Sequence, residues 1–358
     1  MVSAEDFRII GAKKLLLEGA GIKEDESLLI YADEPRVPVA MYVVKAAKEL
    51  ETEDLTLIVN PSILRPKKKA QKALLKAIEG ADVFLYFFHR LPEETPPGTI
   101  YPYRRDISKA LRENNVRNIG LYDTKPEYFD SGGIYADYAA IEEQGRRLFE
   151  PFIDCNLVEI TSKAGTDLSF QLNLKDEIQG AKGVRYRGPS IELTLKHDPN
   201  RLGVQAPEAE GGCPPLMSTV DGKIAIDGAI TGLGVPPVPV LLTYENGDIK
   251  SVEGDKIFLE EMKNFIGKLV GKRSESLLCL DHIDEFSIGF NKWAKFDDNI
   301  SNCEKVAGST HFGIGHGSMV EGPGHGEYFD FMLKYPTIIV TKSDGKKVKV
   351  IKDGKILI

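Results

Sequence analysis

"SLLIYAD" (Ser27–Asp33) is a short apolar run that breaks off in polar residues, and the same signal returns three times downstream. "LTLIVN" (Leu55–Asn60), "DVFLYFFH" (Asp82–His89) and "NIGLYD" (Asn118–Asp123) have the same form. Between them lie stretches with helical spacing: "PVAMYVVKAAKELE" (Pro38–Glu51), "KKAQKALLKAIEGA" (Lys68–Ala81) and "RRDISKALREN" (Arg104–Asn114). Strands of about six residues alternating with helices of about twelve predict a parallel sheet covered by helices on both faces. Ligands of such sheets gather at the carboxyl ends of the strands, where Asp33, Glu34, Arg36 and His89 would stand. No GxGxxG or Walker loop follows any of these strands, so a nucleotide site is not supported.

The pattern changes near Glu150–Pro151. "NLVEITSKAGTDLSFQLN" (Asn156–Asn173) reads as a hairpin, and "DGKIAIDGAITGLG" (Asp221–Gly234) and "VLLTYENGDIKSVEG" (Val240–Gly254) as strand–turn–strand. Asn246-Gly247 is a strong hairpin turn, because a type I′ turn needs positive φ at both central residues. "DKIFLEEMKNFIGKLV" (Asp255–Val270) is an amphipathic helix, and "TIIVTKSDGKKVKVIKDGKILI" at the end is two or three strands. The expectation is an α/β Rossmann-like domain over residues 1–150 with a parallel sheet. It is followed by an α+β domain over 151–358, rich in antiparallel strands, that carries a metal site.

The chain has 358 residues, 42% of them hydrophobic, enough for a sizeable core. A formal charge of −8 disfavours nucleic acid and anionic membrane as partners. The basic run "RPKKKAQKALLK" (Arg65–Lys76) reads as the exposed start of a helix. Cys155, Cys213, Cys279 and Cys303 form no CxxC pair, which fits a reduced, cytoplasmic chain and argues against thiolate ligation of a metal. No apolar run approaches the roughly 20 residues that span a bilayer.

Residues that bear chemistry cluster in the second part. "APEAEGGCPP" (Ala206–Pro215) carries Glu208 and Glu210, and "LDHIDEFSIGFN" (Leu280–Asn291) carries Asp281, His282, Asp284 and Glu285. "GSTHFGIGHGSMVEGPGHGEYFDFML" (Gly308–Leu333) holds three of the six histidines, His311, His316 and His325, together with Glu321, Glu327 and Asp330. Carboxylates and imidazoles suit hard-to-borderline divalent ions. Each residue also has a plainer reading: His311 as a core histidine, Asp330 as a cap on "FML", Glu210 as a turn residue, and the Gly308–Leu333 stretch as a polar surface loop.

These segments resemble the aminopeptidase T family of metallo-aminopeptidases. "GTDLSFQL" (Gly165–Leu172), "PEAEG" (Pro207–Gly211), "DGKIAIDGAITGLG", "DEFSIGFN" (Asp284–Asn291) and "GSTHFGIG" (Gly308–Gly315) are similar to family motifs and keep their order. The resemblance implies a two-metal peptidase, with Glu210, Glu285, His311 and Asp330 among the ligands. The family closes its site with H-x-D-x-M; here "YFDFM" places Tyr328 where the histidine would be, leaving His325, His316 or Glu327 to supply a ligand. It implies hydrolysis of an N-terminal peptide or related amide bond by water activated on Zn, Co or Mn, with Glu208 or Glu285 as general base. It also implies a homodimer acting on a small peptide or other small molecule.

The same fold family includes 2,5-dihydroxypyridine dioxygenases. For that alternative the resemblance implies Fe(II) held by His311, Asp330 and His325 or His316. A third reading is a metal-free homologue that binds a small molecule.

Overall fold

A computed structural model describes residues 3–61, 70–89, 102–172, 178–179, 185–186, 190–192, 196, 202–270, 276–316 and 327–358. Helix α1 (Ala4–Lys14) starts at a capping box between Ser3 and Asp6 and runs into a π-helical turn, Leu15–Ala20. Strands β1 (Leu28–Asp33), β2 (Leu55–Asn60), β3 (Val83–Phe88) and β4 (Arg117–Tyr122) alternate with α2 (Val37–Glu49), α3 (Lys72–Glu79) and α4 (Pro102–Glu113). All four strands pair in parallel. The expected start of the basic run at 65–69 lies outside the described residues.

The side-chain period of two explains how this sheet is covered. Leu28, Ile30 and Ala32 of β1 pack with Ala12, Leu15, Val39 and Val43 from α1, the π turn and α2. Leu29 and Tyr31 point the other way and pack with Leu74 and Ile78 of α3 and Ile107 and Leu111 of α4. Every residue of β1 is buried, as a central strand covered on both faces requires.

Glu150–Pro151 falls inside α5 (Tyr138–Ile153). The next strands are β5 (Cys155–Thr161), β6 (Asp167–Phe170), the ribbon β7 (Ile178–Gln179) with β8 (Arg185–Tyr186), and β9 (Ser190–Glu192). Strand β10 (Gly203–Gln205) then returns to the first sheet and pairs in parallel with β4, giving the order β10-β4-β3-β1-β2.

After β10 come β11 (Glu210–Gly212), β12 (Asp221–Ile226), β13 (Val240–Glu245), β14 (Asp248–Glu253), α6 (Lys256–Val270), β15 (Ile283–Gly289), α7 (Ile300–Cys303), β16 (Thr310–His316), β17 (Glu327–Leu333), β18 (Thr337–Lys342), β19 (Lys347–Lys352) and β20 (Lys355–Ile356). They form two antiparallel sheets, β14-β13-β12-β6-β5-β18-β19-β20 and β17-β16-β15-β11-β9. Asn246 (φ 51°) and Gly247 (φ 86°) make the left-handed turn expected between β13 and β14.

The two antiparallel sheets meet through an aromatic core. Phe170 of β6 lies edge-on to Phe286 of β15, 5.1 Å between centroids, and Phe286 lies 5.7 Å from Phe312 of β16. Phe286, Ile288, Phe312, Ile314, Phe329 and Phe331 thus give the smaller sheet one apolar face inside this core. The intervening residues of the same strands must face the other way. That second face carries Glu210, Glu285, His311 and Asp330.

Candidate metal centre

Strand register assembles the site. Glu285 of β15 and Asp330 of β17 both stand opposite Gly313 of β16, one on each side. His311, two residues along β16, therefore shares their face. Glu210 of β11 stands opposite Gly289 of β15, which has the same parity as Glu285. Among the described residues, the ligand atoms of Glu285, His311 and Asp330 lie within 4.8 Å of one another.

Each side chain is held from behind. Ser287 donates its hydroxyl to Glu285 Oε1. The Thr231 hydroxyl donates to Asp330 Oδ2 at 3.2 Å and accepts from the Asp330 backbone N–H at 2.9 Å. Residues 228–231 run along the outer edge of β17, with Gly228 N–H bonded to Met332 O and Met332 N–H to Ala229 O. His311 is buried, its Nε2 3.6 Å from Glu210 Oε2 and 3.7 Å from Glu285 Oε1. Asp330 lies inside a strand that continues through "FML", so the capping alternative does not hold.

Two further charged residues enter from the segment after α7. Lys305 is fully buried, its ammonium 2.5 Å from Glu210 Oε1 and 3.3 Å from Glu304 Oε2. Glu304 in turn bears on Asp330 and works to lower its carboxyl. A glycine admits this segment: a Cβ on Gly289 would stand 2.4 Å from Glu304 O and 2.5 Å from Val306 O. Gly289→Ala is expected to force backbone apart at a packed crossing, costing about 1–3 kcal/mol. A drop in denaturation midpoint would register it, and an unchanged midpoint would contradict it.

The sequence candidates therefore separate. Glu285, His311 and Asp330 converge, and Glu210 adjoins them while bonded to Lys305. Glu208 is buried elsewhere, its carboxylate 3.5 Å from where a Cβ on Gly19 would stand and its charge bearing on Tyr138. The turn at Ala209, with φ 97°, breaks the alternation that would put Glu208 and Glu210 on one face. His282 Nε2 lies 3.8 Å from Asp284 Oδ1. His316 and Glu327 are register partners at the end of the β16–β17 ladder. The side chains of His316, Glu327 and Tyr328 lie outside the described residues, as does all of His325 and Glu321. Glu304 and Lys305 were not singled out by sequence; "NCEKV" carries no spacing signal.

At the carboxyl ends of β1 and β3, Asp33 accepts hydrogen bonds from Asn60 Nδ2 and the His89 backbone N–H. Arg36 pairs with Asp123 at 2.8 Å. These residues gather as expected, in a closely bonded polar network.

The electrostatics of the cluster favour a cation. Among the described residues, four carboxylates, Glu210, Glu285, Glu304 and Asp330, face one lysine and one imidazole. Burial raises the Asp330 carboxyl, Glu285 and Glu210 add to the rise, and His311 and Glu304 work against it. Burial alone would lower His311, but the hydrogen bond and charge of Glu285, then the charges of Glu210 and Glu304, push it up to about 10. One imidazole nitrogen and two carboxylates form a donor set that fits a divalent ion.

A pH dependence follows for the metal-free protein. The folded value for His311 is raised above the ordinary one of about 6.5. Its stabilising contribution is thus complete below pH ~6.5 and is lost as pH climbs through ~10. A metal must displace the same proton, so divalent-ion affinity is expected to rise across that window. Calorimetric titrations of chelated protein between pH 6.5 and 9.5 check this, and a flat affinity would contradict it.

No protein-family model matches the sequence, nor does any curated protein. Two solved structures align along nearly their whole length. The structure of 2,5-dihydroxypyridine dioxygenase from Pseudomonas putida KT2440 is 14% identical with a TM-score of 0.67, covering 100% of this chain and 98% of that one. Wild-type AmpT from Thermus thermophilus is also 14% identical with a TM-score of 0.67, covering 99% of this chain and 100% of that one. The chain shares their fold. At this identity the likeness concerns architecture, and both neighbours are enzymes. Among the described residues, no helix is long and apolar enough to cross a membrane.

Proposed function

We propose that this chain is a metal-dependent hydrolase that cleaves an N-terminal peptide bond or a related amide. The observation that carries the reading is the convergence of Glu285, His311 and Asp330 within 4.8 Å on one sheet face. The five motifs similar to aminopeptidase T support it, as does the fold shared with AmpT. Glu285, His311 and Asp330 would hold a divalent ion, Zn, Co or Mn. When bound, such an ion lowers the pKa of a coordinated water toward about 7 and polarises a carbonyl.

The chain's own groups do the rest. Ser287 and Thr231 fix the orientation of Glu285 and Asp330. Glu210 takes the part of proton acceptor in place of Glu208, because Glu210 adjoins His311 while Glu208 is buried beside Gly19. Lys305 holds Glu210 in place through its other oxygen. Glu210 also lines a cavity of about 370 Å³ with Tyr86, Arg112, Asn118, Tyr122 and Gln205, which offers room for a small peptide or similar substrate. The same reading takes the chain as a cytoplasmic homodimer.

Chelated protein reloaded with Zn, Co or Mn should hydrolyse members of an aminoacyl-amide panel. Silence across the panel with every metal would overturn the reading. The fold shared with the dioxygenase supports a second one, ring cleavage with Fe(II). Anaerobic Fe(II) loading followed by oxygen uptake with dihydroxypyridines tests that one, and no uptake would reject it.

A further inference from the structure

We propose that the Lys305 ammonium takes the place of a second divalent ion, so that the centre holds one metal per chain. The inference rests on the metal centre proposed above and departs from the two-metal site that the family resemblance implies. A second ion would need carboxylate oxygens left over by the first. Among the described residues, Glu210 and Glu304 are the carboxylates beside the Glu285–His311–Asp330 group, and Lys305 holds one oxygen of each, Glu210 Oε1 at 2.5 Å and Glu304 Oε2 at 3.3 Å. An ammonium donating along a carboxylate lone pair competes directly with a metal for that oxygen.

Lys305 is also built in. Its side chain is fully buried, so it cannot swing into solvent to make way. Its backbone is pinned on both sides: Lys305 N–H bonds Asn302 O, and Lys305 O accepts from Asn291 N–H at 2.8 Å. Gly289 admits the crossing that brings the lysine in.

Charge counting agrees. Among the described residues, with His311 neutral as a ligand and all four carboxylates ionised, the carboxylates and Lys305 sum to −3 in formal charge. One divalent ion brings the cluster to −1. Two would leave a buried excess of positive charge, with an ammonium pressed among dications.

The test is a metal count by elemental analysis on chelated protein reloaded with Zn²⁺ and desalted, with titration calorimetry for the stoichiometry. The wild-type protein should hold one ion per chain. Lys305→Ala, refolded and purified in Zn²⁺, should hold two, because the vacated carboxylates bind the second ion. Lys305→Arg should stay at one. Two ions in the wild type, or one in Lys305→Ala, would overturn the proposal. So would a Lys305→Ala variant that fails to fold even in Zn²⁺, since the ion is expected to replace the lysine. No ion in the wild type would sink the metal centre itself, a result distinct from the others.

Discussion

His311→Ala is expected to weaken divalent-metal binding by more than about 100-fold, beyond the loss that follows removal of an outer-shell partner. The imidazole is the one nitrogen donor in the converging group, and it sits between two sheet carboxylates with no solvent to replace it. Hydrolysis should fall with the metal. Calorimetry separates this from unfolding: the variant should melt cooperatively yet show no heat of binding at metal concentrations that saturate the wild type. Binding within a few-fold of wild type would place the ion elsewhere.

Lys305→Met is expected to cost about 3–5 kcal/mol in the chelated protein, the range for removing one partner of a buried ion pair. Methionine fills the space of the lysine stem but leaves Glu210 and Glu304 facing each other without the ammonium. Denaturant titration measures the loss. The double variant Lys305→Met/Glu210→Gln should recover a good part of it, because fewer uncompensated charges remain. A single variant as stable as wild type would mean that the pair contributes little to the fold.

The parallel sheet was legible because β1 and its neighbours are short apolar runs separated by helical spacing, and burial on both faces demands that composition. The β13–β14 hairpin was legible because Asn246-Gly247 is a local signal. Strand β10 has three residues and pairs with β4, far back in sequence, so no periodicity announces it. In the site, Glu285, His311 and Asp330 stood out as metal-capable side chains in segments that resemble aminopeptidase T motifs, while the strand register that joins them is a tertiary feature. The separation of Glu208 from Glu210 was not legible, because it is set by the backbone at Ala209. Glu304 and Lys305 were missed because their position depends on a crossing at Gly289, a tertiary contact with no local pattern.

Everything above turns on Glu285, His311 and Asp330 binding a divalent ion. The most direct test is anomalous diffraction at the metal edge from crystals of reloaded protein. One peak per chain is expected, bonded to His311 Nε2 and to the carboxylates of Glu285 and Asp330, with Lys305 still on Glu210. A peak bound away from these three residues, or none in metal-saturated crystals, would contradict it.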